Sequence, residues 1–152
     1  DCEFVNRFLA FYLLGTEQYS GNLEDYLNEV MIRLRKESKS TIEKCRIDFL
    51  KAMKYIANIF GEIAFRKITA NGRYGRLNKP LYDAITVNMA KLSEKECEQL
   101  LVKKDKLLEE YDKLLKDKKF VNIITSGTAA IDNVKGRHNA IYKIFRKVLA
   151  DD

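Results

Sequence analysis

Residues 93–119, SEKECEQLLVKKDKLLEEYDKLLKDKK, carry Cys97, Leu100, Leu101, Leu107, Leu108, Tyr111, Leu114 and Leu115 at steps of three and four. That spacing lines one side of an α-helix with apolar side chains. It leaves Lys and Glu on the others, where neighbours of opposite sign support one another. Ser93 and Glu96 form a capping box, in which the hydroxyl and the carboxylate each satisfy an orphaned backbone N–H. The pattern predicts one long charged helix over residues 93–116, whose apolar side needs a cover.

The same period continues toward the N-terminus. Residues 3–14 are apolar nearly all round, with Phe4, Phe8, Phe11 and Leu14 on one side and Leu9, Tyr12 and Leu13 on others. A helix of that kind belongs at the centre of a bundle. Gly15 and Gly21 bracket a loop, and Asn22 is placed to cap a second helix running to about Lys36 on Leu23, Tyr26, Leu27, Val30, Met31 and Leu34. Ser40 and Glu43 predict a second capping box, opening a helix with the stripe Ile42, Cys45, Phe49, Met53, Ile56 and Phe60. Gly61 supplies the left-handed position that ends it.

Between residues 62 and 79 the period fails. Asn71, Gly72 and Gly75 mark turns, and Asn71-Gly72 also suits a small hairpin. Pro80 then opens a helix with Leu81, Tyr82, Ile85, Met89 and Leu92 as its buried side, since the missing N–H costs nothing in a first turn. After residue 116 come a short piece with Phe120, Val121, Ile123 and Ile124 and a last helix over about residues 128–149, with Val134, Ile141, Ile144, Phe145, Val148 and Leu149 inward. The expectation is a single-domain, all-α bundle of six or seven helices spanning residues 1–152, interrupted by a basic loop at 62–79.

Composition agrees with that class. The chain has 152 residues, 46% hydrophobic and 33% charged, with a single Pro, which allows a proper core and points away from disorder. Cys2, Cys45 and Cys97 are odd in number and far apart, unlike a disulfide framework or a zinc site, so a reducing, cytoplasmic location is expected. The longest apolar run, Phe8–Leu14, falls well short of the roughly 20 residues that span a bilayer, so no membrane partner is expected. Asp1 and Glu3 stand where a secretory signal would carry basic residues. Asp1 rather than Met is first and the helical pattern is under way by Phe4, so the chain is expected to be part of a longer protein.

Catalytic patterns are absent. A Ser-His-acid triad needs a histidine base, and the one histidine, His138, lies near Phe145 and Leu149 on an apolar helical face, where it reads as a satisfied core or boundary imidazole. One histidine builds neither a histidine-rich metal site nor an HNH nuclease. No phosphate loop occurs, and NGRYGR (71–76) lacks the preceding strand and third glycine of a dinucleotide fingerprint. The acidic pairs Glu109–Glu110 and Asp151–Asp152 read as surface. No cofactor and no metal are expected.

The charge is more informative. A net +6 and a pI near 9.1 suit an acidic partner if the cations cluster. They cluster in the loop, where Arg66, Lys67, Arg73, Arg76 and Lys79 accompany Tyr74. Cations on a glycine-bearing segment follow a phosphate backbone, and an aromatic among them stacks on an unpaired base. Lys135, Lys143, Arg146 and Lys147 form a second strip on the last helix. A solvated surface has the same composition. Arg7, Arg46 and Arg137 fall inside or beside apolar arcs, where each either lays its stem along the core and pairs at the rim or holds the loop or an upstream domain.

DCEFVNRFLAFYLLG, with Arg7 ahead of the hydrophobic run, YSGNLEDYLNEVM, FGEIAFRK, RLNKPLYDA, and the late SGT followed by Arg137 together resemble the helical second half of the domain-of-unknown-function 262 (DUF262) family. That family is similar to the N-terminal half of GmrSD-type restriction endonucleases. The resemblance covers about residues 1–149 and implies a multi-domain protein of bacterial genome defence. In it a ParB-like domain with an Asp-Gly-Gln-Gln-Arg motif handles nucleotide hydrolysis, and an HNH-type domain, when present, cuts DNA. Neither motif occurs in this sequence, so no catalytic residue carries over. The expected role is a non-catalytic accessory domain that packs against the ParB-like domain and contacts DNA through the 62–79 loop. The alternative is an interaction or oligomerisation module using the 93–116 helix, and a free-standing nuclease is the remotest reading.

Overall fold

Local capping sets most of the element boundaries. The structure, a computed structural model, describes residues 2–152; Asp1, where the acidic opening of the chain begins, lies outside the described residues. Asn22 caps α1's successor, so that α1 is Cys2–Leu13 and α2 is Leu23–Leu34, with the Asn22 side chain accepting from the Asp25 N–H. Helix α3, Lys39–Phe60, is capped by Ser38, whose hydroxyl accepts from the Thr41 N–H. The predicted box at Ser40 and Glu43 therefore does not form, because Ser40 is already inside the helix and Glu43 pairs with Arg46 instead. Gly61 closes α3 at φ +55°.

Strands β1 (Arg66–Ile68) and β2 (Tyr74–Leu77) form a small antiparallel hairpin, the one sheet among the described residues. Helices α4 (Lys79–Lys91), α5 (Glu94–Val102), α6 (Lys104–Lys116), α7 (Lys118–Ile123) and α8 (Ile131–Ala150) follow. The capping box of Ser93 and Glu96 is present in full. The chain is thus mostly α-helical, with eight α-helices among the described residues instead of six or seven.

The extra helix comes from a break at Lys103 in the expected long helix. Lys103 has φ −96° and ψ +24°, and its ammonium donates to the carbonyls of Val148 and Asp151 at the end of α8. No Gly or Pro marks the break. The apolar stripe stays in phase across it, and a cation capping another helix's C-terminus is a tertiary event. Leu107, Tyr111 and Leu115 are buried within the bundle, which removes the apolar face that an interaction module on this segment would use.

Helix α4, not α1, is the central element. It packs against α1, α3 and α8, and every side chain from Pro80 to Val87 is buried, as are Met89 and Ala90. Asp83 and Thr86 made its sequence look amphipathic. Helix α1 leaves Val5 and Glu3 exposed. Met31 and Ile42, placed on inward stripes by period alone, are also exposed. Helix α8 starts three residues later than its pattern suggests. Its preceding carbonyls point elsewhere, Thr128 O accepting from Arg137 Nη1 at 2.6 Å and Ala129 O from the Tyr19 hydroxyl at 2.5 Å.

At the middle of the bundle Asp83, with no exposed surface, receives Arg7 Nε at 2.9 Å on one oxygen and Arg7 Nη2 at 2.5 Å on the other. Arg137 Nη2 stands 3.9 Å from the same carboxylate. Burial pushes the Asp83 carboxyl up, and the hydrogen bonds and charge of Arg7, then the charge of Arg137, pull it back. Burial draws the Arg137 guanidinium down to about 10, still charged at neutral pH. Arg7 and Arg137 therefore pair inside the core rather than at its rim. Arg46 is exposed and serves only Glu43 on its own helix.

Removing one member of a buried ion cluster leaves uncompensated charge, whereas replacing all of it with apolar groups of similar volume is far milder. Asp83→Ala should lower the unfolding free energy in urea by about 3–5 kcal/mol. The triple variant Arg7→Met, Asp83→Leu, Arg137→Met should lose much less. Equal losses in the two would show that packing alone, and not charge, is at stake.

Candidate functional site

The basic segment is a built hairpin held to the bundle at its base. Phe65 adopts φ +64°, a left-handed conformation that costs a non-glycine residue roughly 1–2 kcal/mol. Its buried ring meets Tyr82 edge-on at 5.1 Å, and its carbonyl accepts from the Asn78 N–H at 2.7 Å. The Asn78 side chain in turn donates to Ile124 O and caps α4 by accepting from the Leu81 N–H. At the tip, Gly72 has φ +77° and donates to Thr69 O, while the Thr69 N–H bonds Arg73 O. The hairpin reading of Asn71-Gly72 thus replaces an irregular loop.

This geometry divides the six candidate residues. Arg66 works inside the hairpin, donating to Glu62 O at 3.0 Å and to Gly75 O at 2.9 Å. Lys79 reaches Glu3 at 2.9 Å and ties α4 to α1. Arg66 thus spends its donors on carbonyls, and Lys79 its charge on Glu3. Arg73 and Arg76 are exposed and make no ion pair among the described residues, Lys67 is half-buried and likewise unpaired among them, and Tyr74 is 40% exposed.

The hairpin leans on the C-terminal end of α6, where Tyr74 lies close enough to influence Tyr111 and Lys116 electrostatically. Lys118 and Lys119 follow immediately, both exposed, and a shallow groove of about 300 Å³ runs beside Lys116, Lys118 and Asn122. The two lysines extend the positive surface beyond the hairpin. Their place in a run of alternating charge hid them, since the sequence does not say which acids neutralise which bases.

The second strip is largely neutralised. Arg146 bonds Glu96 at 2.5 Å, Lys147 bonds Glu110 at 2.8 Å, and Lys135 stands 3.5 Å from Glu17, which leaves Lys143 as the strip's one cation unpaired among the described residues. Glu109, Glu110 and Asp151 are surface partners of lysines, as their positions suggest.

His138 departs from the satisfied imidazole that its helical face implies. It is only 8% exposed, its ring lies tilted against that of Phe11 with centroids 4.9 Å apart, and its Nε2 has no hydrogen-bond partner among the described residues. No carboxylate or hydroxyl engages it. Burial, reinforced by Arg137, Lys91 and Arg7, lowers its pKa to about 3. No group of three or more His, Cys, Asp or Glu among the described residues is arranged to hold a metal ion. No helix among them is long and apolar enough to cross a membrane.

No protein-family model matches the chain, and no curated protein or solved structure is significantly similar to it.

Between about pH 6.5 and 3 the unfolded chain binds a proton on His138 that the folded chain refuses, so stability falls as pH drops through that window. At about 1.4 kcal/mol per pH unit, the contribution near pH 4.5 is about 2–3 kcal/mol. Carboxylates held below their ordinary range, such as Glu96 and Glu110, weaken the fold over the same acid range in any variant. The comparison is therefore wild type against His138→Phe, by urea midpoint at pH 6.5 and 4.5. The variant should lose less stability by that amount, and parallel losses would mean that the folded imidazole protonates freely.

Proposed function

We propose that this chain is a non-catalytic helical accessory domain of a DUF262-like, nucleic-acid-directed defence protein, and that it contacts DNA through the hairpin within residues 62–79. The observation that carries the DNA contact is the disposition of Arg73, Tyr74 and Arg76. They form an exposed set of two unpaired guanidiniums around an aromatic, on a hairpin anchored by Phe65 and Asn78. Lys67, Lys118 and Lys119 add uncommitted charge nearby. Arginine and lysine neutralise phosphates at any sequence, and an exposed tyrosine stacks on an unpaired base.

The ParB-like domain of the same protein is the expected intramolecular partner, and the cytoplasm the expected location. An apolar groove between α1 and α2, lined by Val5, Leu9, Met31 and Leu34, favours the second reading of an interaction module. A surface of that kind suits packing against another protein domain rather than a polyanion.

Binding to duplex and single-stranded DNA across a salt series separates the readings. If Arg73 and Arg76 each neutralise a phosphate, the double variant Arg73→Ala, Arg76→Ala should reduce the slope of log affinity against log salt on duplex DNA by about 1.8. Tyr74→Ala should weaken single-stranded binding by about 1–3 kcal/mol. Affinity that ignores both salt and these substitutions would remove the nucleic-acid reading and leave the interaction module.

A further inference from the structure

A cleft of about 600 Å³ opens between the 3-10 turn Thr16–Gln18, α4 and α8, on a part of the molecule that the hairpin does not share. Its volume lies in the range of small-molecule sites. We propose that this cleft binds a small organic anion, a carboxylate or phosphate carried on a flat apolar body. The inference is independent of the nucleic-acid reading.

The case for an anion rests on the charges at the mouth. Among the described residues, Lys91 from α4 makes no ion pair, and Lys135 from α8 has a single acidic neighbour, Glu17, at 3.5 Å. Glu17 is almost fully exposed and the contact is long, so the pair exchanges readily with solvent or with a competing anion. The cleft therefore presents two cations against one mobile carboxylate. Elsewhere on α8 the cations Arg146 and Lys147 close on acids at 2.5 and 2.8 Å, tighter contacts than that of Lys135.

The case for a specific ligand rests on the floor. His138 lines the cleft and makes no side-chain hydrogen bond among the described residues, and its buried Nε2 has no partner. A neutral imidazole carries one donor and one acceptor, and a buried side chain of this kind ordinarily meets a partner. Asn88 spends both its amide N–H groups on Ala84 O and His138 O, which leaves its Oδ1 without a donor. Asn139, on the rim, makes no side-chain bond at all. Asn88, Asn139 and the His138 ring thus line a space that an apolar wall of Phe11, Val87 and half-exposed Tyr142 also borders. That combination suits a ring-bearing body held by its face, with its charged end toward the lysines.

The test is an amide and imidazole NMR titration of the whole chain with phenyl phosphate, benzoate and inorganic phosphate. Saturable shifts at Lys91, Lys135, Asn139 and the His138 ring are expected with phenyl phosphate or benzoate. Inorganic phosphate should bind at least about tenfold more weakly, for lack of the apolar body. Lys91→Ala with Lys135→Ala, both exposed positions that leave the core untouched, should weaken binding about tenfold or more, while Arg73→Ala with Arg76→Ala should leave it unchanged. Equal binding of inorganic phosphate would overturn the organic ligand. An absence of saturable shifts at these residues, or retention of full affinity in the double lysine variant, would overturn the site.

Discussion

Asp83 has no contact with water, and a carboxylate in that position is tolerable only because Arg7 grips both of its oxygens and Arg137 stands behind them. The three side chains belong to α1, α4 and α8, so the charge requirement of one residue positions three helices at once. Arg137 then turns Thr128 O toward itself and delays the start of α8, while Arg7 also lies near Glu3, the acid that Lys79 reaches from the start of α4. An apolar core of the same volume would pack as densely. It would not discriminate in the same way between this arrangement of helices and a slipped one, because only here does each charge find its partner.

To that centre the basic hairpin is anchored through α4. Its base is stapled to α4 through Phe65 on Tyr82 and through Asn78, which joins the hairpin, the α4 cap and Ile124 in one set of hydrogen bonds. Arg66 and Lys79 are consumed in this framework, and their commitment is what leaves Arg73, Tyr74 and Arg76 displayed in a fixed relation. A flexible loop with the same composition would lose conformational entropy on gripping a phosphate backbone. A pre-formed hairpin loses less of it.

The distribution of unpaired charge also separates two regions that composition merges. Most cations of α6 and α8 have an acidic neighbour within 4 Å, as exposed helical residues commonly do. Among the described residues, the cations without one include Arg73, Arg76, Lys118 and Lys119 at and beside the hairpin and Lys91 at the mouth of the cleft beside His138. The burial of that imidazole without a partner is the least expected feature of the core, since polar groups so enclosed are nearly always bonded.

Helical period, capping residues and turn glycines, all read over a few neighbouring positions, determined the class of fold, the caps at Asn22 and Ser93, the end of α3 at Gly61 and the existence of a turn at Asn71-Gly72. These are local interactions between residues close in the chain, and local interactions are legible from it. The tertiary structure alone decided that α4 and not α1 is central, that the 93–116 segment breaks at Lys103, and which of the six basic-segment residues remain displayed. Each of those outcomes depends on a partner distant in sequence: Arg7 for Asp83, the C-terminus of α8 for Lys103, Glu3 for Lys79. Period records that a side chain is polar or apolar, but whether a buried charge is satisfied or a surface charge is free depends on what the fold brings opposite to it.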